Sequence, residues 1–223
     1  MTKFADIKGF AFDLDGVITD TAKFHTIAWR HLAEQLQVTW TPELQESLKG
    51  IDRMGSLEMI LQAGGKENAY TQAEKEGFAA WKNEHYVELI ADLTPDDILP
   101  GIAAFIQELN DKGYRASVAS ASKNAPFILD RLGLTDSFVG IVDPATLHAG
   151  KPDPEIFVRA AEILNLPPDQ VIGLEDAAAG IASINGAGEV SLGIGDATVL
   201  AAADLNFANT AEVTLANIAA KLD

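Results

Sequence analysis

The chain has 223 residues, 48% hydrophobic, a net charge of −17 at pH 7 and no cysteine. That length buries one large core or two small ones, and the missing cysteine excludes disulfides, thiolate catalysis, Cys-ligated zinc and iron–sulfur clusters, in keeping with a cytoplasmic location. The negative charge argues against nucleic acid and anionic membranes as partners, and no stretch reaches the ~18 apolar residues of a membrane span or forms a secretory leader.

Residues 7–12, IKGFAF, read as a buried strand that ends in the turn DLDG. From Asp20 the period becomes helical, with Phe24, Ile27, Ala28, Leu32 and Leu36 on one face and Asp20 or Thr21 as cap. Thr41-Pro42-Glu43 marks a second helix start, and helical patterns continue through 54–63 and 71–91. Between 20 and 92 no strand is expected. The segment LTPDDILPG (93–101), with two prolines, reads as a linker. Helices over 101–112, 124–132, 154–165 and 177–186 then alternate with strands over 114–120, 138–142, 170–175 and 189–194. A short strand near 204–208 and a helix over 210–221 close the chain.

Such alternation predicts an α/β fold with a parallel sheet covered on both faces. The core is residues 1–19 with 93–223, and a helical unit over 20–92 is inserted after the first strand. Ligands of such sheets bind beyond the carboxyl ends of the strands. Those ends carry Asp13, Ser120, Asp143 and the pair Glu175-Asp176, and the insert, leaving from the same edge, is expected to serve as a lid.

Asp13 and Asp15 lie two apart, so their side chains leave the strand end on similar bearings, and Gly16 allows the chain to turn. Two close carboxylates repel unless a cation or a shared proton intervenes. A divalent ion would keep Asp13 ionised while Asp15 holds a proton as general acid; the plain alternative is a solvated turn. Glu175 and Asp176 suit magnesium, which prefers oxygen ligands, with Asp13 and the backbone carbonyl of Asp15; alternatively Asp176 caps an Ala-rich helix. In SVASASKNAP (117–126), residues Ser120, Ala121, Ser122, Lys123 and Asn124 end a strand and open a helix, a place where backbone N–H groups and side-chain donors bind anions, or a Ser-rich loop capped by Asn124. Lys151, ahead of Pro152 and a helix capped by Asp153, can neutralise a transferred phosphoryl group or be a surface lysine.

In order, these four pieces resemble the motifs of the haloacid dehalogenase superfamily of phosphotransferases. The resemblance implies a Rossmann-like parallel-sheet core with an inserted α-helical cap, Mg²⁺ among the carboxylates, an aspartyl phosphate on Asp13, and Asp15 as acid/base. FDLDGVITDTAKFH, LKGIDRMGSL, ASASKNAPFIL, GKPDPEIF and GLEDAAAGI further resemble the β-phosphoglucomutase family. That resemblance implies interconversion of β-glucose 1-phosphate and glucose 6-phosphate through the bisphosphate, small sugar phosphates as partners, and a monomer. It implies Asp13 and Asp15 as catalytic, Asp13, Asp15, Glu175 and Asp176 at the metal, and Ser120 to Asn124 with Lys151 on the transferring phosphoryl group.

In the insert, Arg53 at a helix start suits a remote phosphate, with Lys49, Gly50 and Ser56 beside it; the alternative is an exposed helical turn. Thr21 and His25 share a helical face, and the resemblance implies that they couple the lid to Asp15. Trp29 reads as cap core rather than a sugar platform, His31, His85 and His148 as surface or structural, and Lys82 as a solvated helix face, with an extra phosphate contact as the alternative. Gly55 predicts a looser helix. Two other functions use the same frame: a sugar-phosphate phosphatase, which needs no far anion pocket, and a non-catalytic binding protein.

Overall fold

The computed structural model describes residues 3–223. In chain order it contains β1 (Gly9–Phe12), α1 (Ala22–Gln35), α2 (Pro42–Ser47), α3 (Arg53–Ala63), α4 (Gln72–Ile90), α5 (Ile102–Asp111), β2 (Arg115–Val118), α6 (Ala125–Arg131) and β3 (Gly140–Ile141). It continues with α7 (Glu155–Leu164), β4 (Val171–Glu175), α8 (Ala178–Ala187), β5 (Val190–Ile194), β6 (Leu205–Phe207) and α9 (Leu215–Leu222). The chain divides into two units: Met1–Asp20 with Leu93–Asp223, and Thr21–Asp92.

In the first unit all six strands are parallel, in the order β3-β2-β1-β4-β5-β6. The apolar runs of β1, β4 and β5 are buried throughout, as strands covered on both faces must be. Alternation along β1 separates the two sides. Phe10 and Phe12 meet Phe105 of α5 edge-on or tilted, at centroid distances of 5.5 and 6.0 Å. Ala11 instead joins Ile156, Phe157, Ala160, Ile181 and Ile184 of α7 and α8. The order reverses between β1 and β4, so the crevice where such sheets bind ligands opens at their carboxyl ends.

The linker is more than a tether. Thr19 Oγ1 donates to Asp97 O at 2.8 Å, Leu99 N donates to Ile18 O at 2.9 Å, and Thr19 and Ile98 form an antiparallel bridge. The segments on either side of the insert are therefore tied side by side.

The second unit is four helices. Thr41 caps α2 with Pro42 at its first position, Asp52 caps α3, and Thr71 and Glu74 form a capping box on α4. Its core gathers Trp29, Leu32 and Ala33 from α1 and Leu36 just beyond its end with Leu57, Ile60 and Leu61 of α3. The apolar face of α1 thus differs from the expected one: Trp29 and Ala33 are buried, whereas Ile27 is exposed and Phe24 half-buried. Gly55 sits in the first turn of α3, directly over its cap. A Cβ there would lie 2.9 Å from Asp52 Oδ2, so the glycine makes room for the cap that starts the helix.

Three local expectations are corrected. Thr21 stands at the N-cap of α1 but makes no side-chain bond to its N–H groups, and neither does Asn124 for α6. The expected 138–142 strand is only the two residues of β3, and Asp143, exposed, caps the turn that follows by accepting from Ala145 N at 2.9 Å. The closing helix starts at Leu215 rather than 210, because Asn209 first caps a separate 3-10 turn, Thr210–Glu212, and Thr214 then caps α9.

Candidate active site

Parallel register places β1 between its partners with Phe12 opposite Val118 and Leu174. Asp13, one residue beyond β1, donates its N–H to Leu174 O at 3.0 Å, while Ala119 N donates to Phe12 O at 2.7 Å. The side chain of Asp13 is thereby fixed beside the end of β4. Lys151 Nζ donates to Asp13 Oδ1 at 2.6 Å and to Glu175 Oε2 at 2.8 Å, and all three side chains are buried. Asp13, Glu175 and Asp176 each offer an oxygen within 4.8 Å of the others, the one such group of three or more ligand residues among the described residues.

Glu175 is held by its own loop. Its Oε1 accepts from Asp176 N and Ala177 N, both at 3.1 Å. Asp176 is therefore not the cap of α8, whose N-cap position is Ala177, and its carboxylate faces the cluster. Two glycines leave the space. At Gly16, with φ +81°, a Cβ would stand 2.1 Å from Asp176 Oδ2, and at Gly180 one would stand 1.9 Å from Glu175 Oε2.

Electrostatics follow from that crowding. Burial, then Glu175, pushes Asp13 up to about 7 against the pull of Lys151. Burial also raises Glu175 despite Lys151. For Lys151 burial acts to lower the pKa, but Asp13 and Glu175 outweigh it and the ammonium is held firmly charged. One cation among three carboxylates leaves excess negative charge in hard oxygen donors, and a divalent cation fits that deficit.

The loop after β2 is built from Ser120, buried just beyond the strand's end. Its Oγ accepts from Ser122 N at 3.1 Å, and Ser122 Oγ accepts from Asn124 N at 3.3 Å. Two of the backbone donors expected for an anion are thus already engaged within the loop. Ala121 and Ser122 are half-buried and Lys123 is exposed.

A second group of polar side chains lies within the helical unit. Thr21, fully buried, accepts His25 N through its carbonyl at 3.1 Å. Lys82 Nζ, also buried, donates to His25 Nδ1 at 2.7 Å and sits 4.6 and 4.7 Å from the ring centroids of Trp29 and Tyr86. His25 stacks on Tyr86 at 3.9 Å. Burial, then Lys82 and Arg53, holds the imidazole well below its usual pKa, so it accepts from the ammonium as a neutral ring. Arg53 Nη2 donates to Asn83 Oδ1 at 2.7 Å, and burial lowers the guanidinium's pKa. Ser56 is buried and Arg53 half-buried, so neither belongs to an ordinary exposed turn. Lys49 stands apart, exposed and paired with Glu46 at 2.9 Å, next to Gly50.

The haloacid dehalogenase-like hydrolase family matches residues 7–188. Over 209 residues the chain is 47% identical to a β-phosphoglucomutase of Bacillus subtilis, covering 94% of this chain and 92% of that one. The chain belongs to the β-phosphoglucomutases of the haloacid dehalogenase-like family. A β-phosphoglucomutase crystal structure from Clostridium difficile, 42% identical, matches with a TM-score of 0.95 over 97% of both chains. Similarity to a phosphorylated carbohydrates phosphatase of Thermotoga maritima is lower, 26% over 179 residues, covering 79% of this chain and 80% of that one.

Against this β-phosphoglucomutase frame, Asp13, Lys151, Glu175 and Asp176 come together in one unit with Ser120 on the neighbouring strand. Thr21, His25, Arg53 and Ser56 lie in the other. The Asp15 carboxylate is not part of the three-carboxylate group. Lys82 is the residue that sequence reasoning misread: it is buried, not on a solvated face. A signal was present, since Ala79, Lys82, Tyr86 and Ile90 follow helical spacing along the buried side of α4.

Proposed function

We propose that this enzyme of β-phosphoglucomutase type interconverts β-D-glucose 1-phosphate and D-glucose 6-phosphate through β-glucose 1,6-bisphosphate and a phosphorylated Asp13. The observation that carries the reading is the buried contact of Asp13 with Lys151 beside two further strand-end carboxylates. An Asp13 oxygen attacks phosphorus, the bond from phosphorus to the sugar oxygen breaks, and Asp15 gives that oxygen a proton. In the reverse half, Asp15 takes the proton from the sugar's other hydroxyl, which attacks the phospho-aspartate and recovers the phosphoryl group. Lys151 and the Ser120 hydroxyl offset the charge on the transferring phosphoryl oxygens, with Ala121, Ser122, Lys123 and Asn124 lining that loop. Magnesium held by Asp13, Glu175, Asp176 and the Asp15 carbonyl would supply charge neutralisation that keeps Asp13 ionised.

Arg53 takes the distal phosphate of the bisphosphate through its planar fork, with Lys49, Gly50 and Ser56 near the sugar. Thr21 and His25 tie the helical unit to the state of Asp15, and Lys82 adds charge to the Arg53 group. The helical unit acts as a lid that limits water, which separates a mutase from a phosphatase. The enzyme acts as a monomer in the cytoplasm. Among the described residues no helix is long and apolar enough to cross a membrane.

The test is to supply Mg²⁺, β-glucose 1-phosphate and a trace of the bisphosphate and to follow glucose 6-phosphate and free phosphate separately. Rapid isomer formation with little free phosphate is expected. Dominant phosphate release would replace the mutase with a hydrolase, and neither product would leave a binding role.

A further inference from the structure

Lys151 reaches its buried carboxylates from a stretch with no regular structure of its own. Between the 3-10 turn Pro144–Thr146 and the start of α7 at Glu155 the backbone runs in turns and bends. A long flexible side chain on such a stretch would not by itself hold Nζ at 2.6 and 2.8 Å from two carboxylates. Something must fix where the chain enters.

Two sets of contacts do so. On the far side of Lys151, Asp153 N donates to Gly150 O at 3.0 Å, Glu155 N donates to Asp153 Oδ1 at 2.9 Å, and the buried Ser183 hydroxyl of α8 donates to Asp153 O at 2.6 Å. On the near side the contacts converge on one carboxylate. Glu155 Oε2 accepts from His148 N at 2.7 Å and from Ala149 N at 3.4 Å, and its Oε1 faces His148 Nδ1 at 2.9 Å. Glu155 is itself anchored in the first turn of α7, followed by the buried pair Ile156 and Phe157. The Phe157 ring lies 5.1 Å from Lys151 Nζ. These bonds, that of the His148 side chain first, hold Glu155 below the usual carboxylate range.

We propose that Glu155 is a positioning residue for the reaction: its carboxylate gathers the backbone N–H groups of His148 and Ala149 and so sets where Lys151 enters the site. The effect on the reaction rests on the role given to Lys151 above; the effect on Lys151 placement does not. The backbone bonds carry the function. The His148 ring, 88% exposed, adds an exposed contact that the placement does not need.

The experiment compares Glu155→Ala, Glu155→Gln, His148→Ala and Lys151→Met in the full chain with Mg²⁺. It reads kcat and KM of the mutase reaction and, separately, the rate at which an amine-acylating reagent labels Lys151, resolved by peptide mass spectrometry. Wild-type Lys151, buried and ion-paired, should label slowly. Glu155→Ala should label Lys151 at least about tenfold faster and lower kcat by roughly 10–100-fold, with KM within a few-fold, as a small misplacement of a reacting group does. Glu155→Gln keeps an oxygen acceptor for the two N–H groups and should recover most of both quantities, and His148→Ala should match wild type. The proposal is overturned if Glu155→Ala labels Lys151 at the wild-type rate, if kcat holds while labelling rises, or if Gln does no better than Ala. Full mutase activity in Lys151→Met would sink the role of Lys151 in the reaction instead, and the labelling rates would still report whether Glu155 holds it.

Discussion

Replacing Lys151 with methionine keeps much of the volume and removes the ammonium between Asp13 and Glu175. The side chains of Lys151 and Glu175 are fully buried and that of Asp13 is 8% exposed. Breaking a buried pair by deleting one partner costs about 3–5 kcal/mol, because the other charge stays behind without compensation. Here one cation serves two carboxylates, so the upper half of that range is expected. For a chain of this size each kcal/mol moves the melting temperature by about 2–4 °C, which gives a fall of roughly 8–20 °C. The penalty should depend on pH. Asp13, pushed up to about 7 by burial and Glu175, gains a proton as the solution is acidified below that value. A neutral carboxyl no longer needs the ammonium, so the gap between variant and wild type should narrow at pH 5. Thermal melts in EDTA at pH 8 and pH 5 provide the measurement. A gap below about 1 kcal/mol at pH 8, the size of an exposed pair, would refute the buried-charge reasoning, and so would an equal gap at both pH values.

Other expectations follow from the same geometry. Folded Asp13 keeps its proton to about pH 7, whereas the unfolded carboxyl releases it near 3.8, so the cation-free protein should lose stability as pH rises between those values. Asp13→Asn should remove that slope and stabilise the EDTA-treated protein by roughly 2–4 kcal/mol at pH 8, with turnover abolished, read by urea titration beside the mutase assay. Arg53→Ala should lower mutase kcat/KM by roughly 10–150-fold, the worth of a charge-assisted contact, and change hydrolysis of a simple phosphate ester little; equal losses in both would remove Arg53 from the distal phosphate. Glu189 is buried with neither carboxylate oxygen hydrogen-bonded, and burial raises its pKa well above the usual value. Glu189→Met should stabilise the protein by about 1–3 kcal/mol, more at pH 8 than at pH 5, because the raised carboxyl loses stability for the fold as pH rises; a destabilised variant at pH 8 would show a partner for this group.

Much of the core site was legible because its parts are local. A strand, then Asp-Leu-Asp-Gly, fixes two carboxylates and a turn within a few residues. The alternation of helices and strands says which other residues share that edge. What was not legible depends on neighbours far away in sequence. Lys82 sits among charged residues on α4, and only packing against Trp29, Tyr86 and His25 shows that it is buried. Asp176 before an Ala-rich helix satisfies a local capping rule, yet the N–H groups of Asp176 and Ala177 bond to Glu175 instead. Asn209 and Thr214 are both capping residue types five apart, and only the folded backbone shows that the first starts a single 3-10 turn and the second starts α9.

Strand order has a consequence for biosynthesis. The central strand is translated before both of its neighbours, so Phe10 and Phe12 leave the ribosome long before residues 115–118 and 171–174 exist to pair with them. Throughout that interval a sticky, unpaired edge is open to other nascent chains, while the intervening helical segment can already collapse on its own apolar residues. Crowded or rapid synthesis should therefore expose this enzyme to wrong pairing at its first strand.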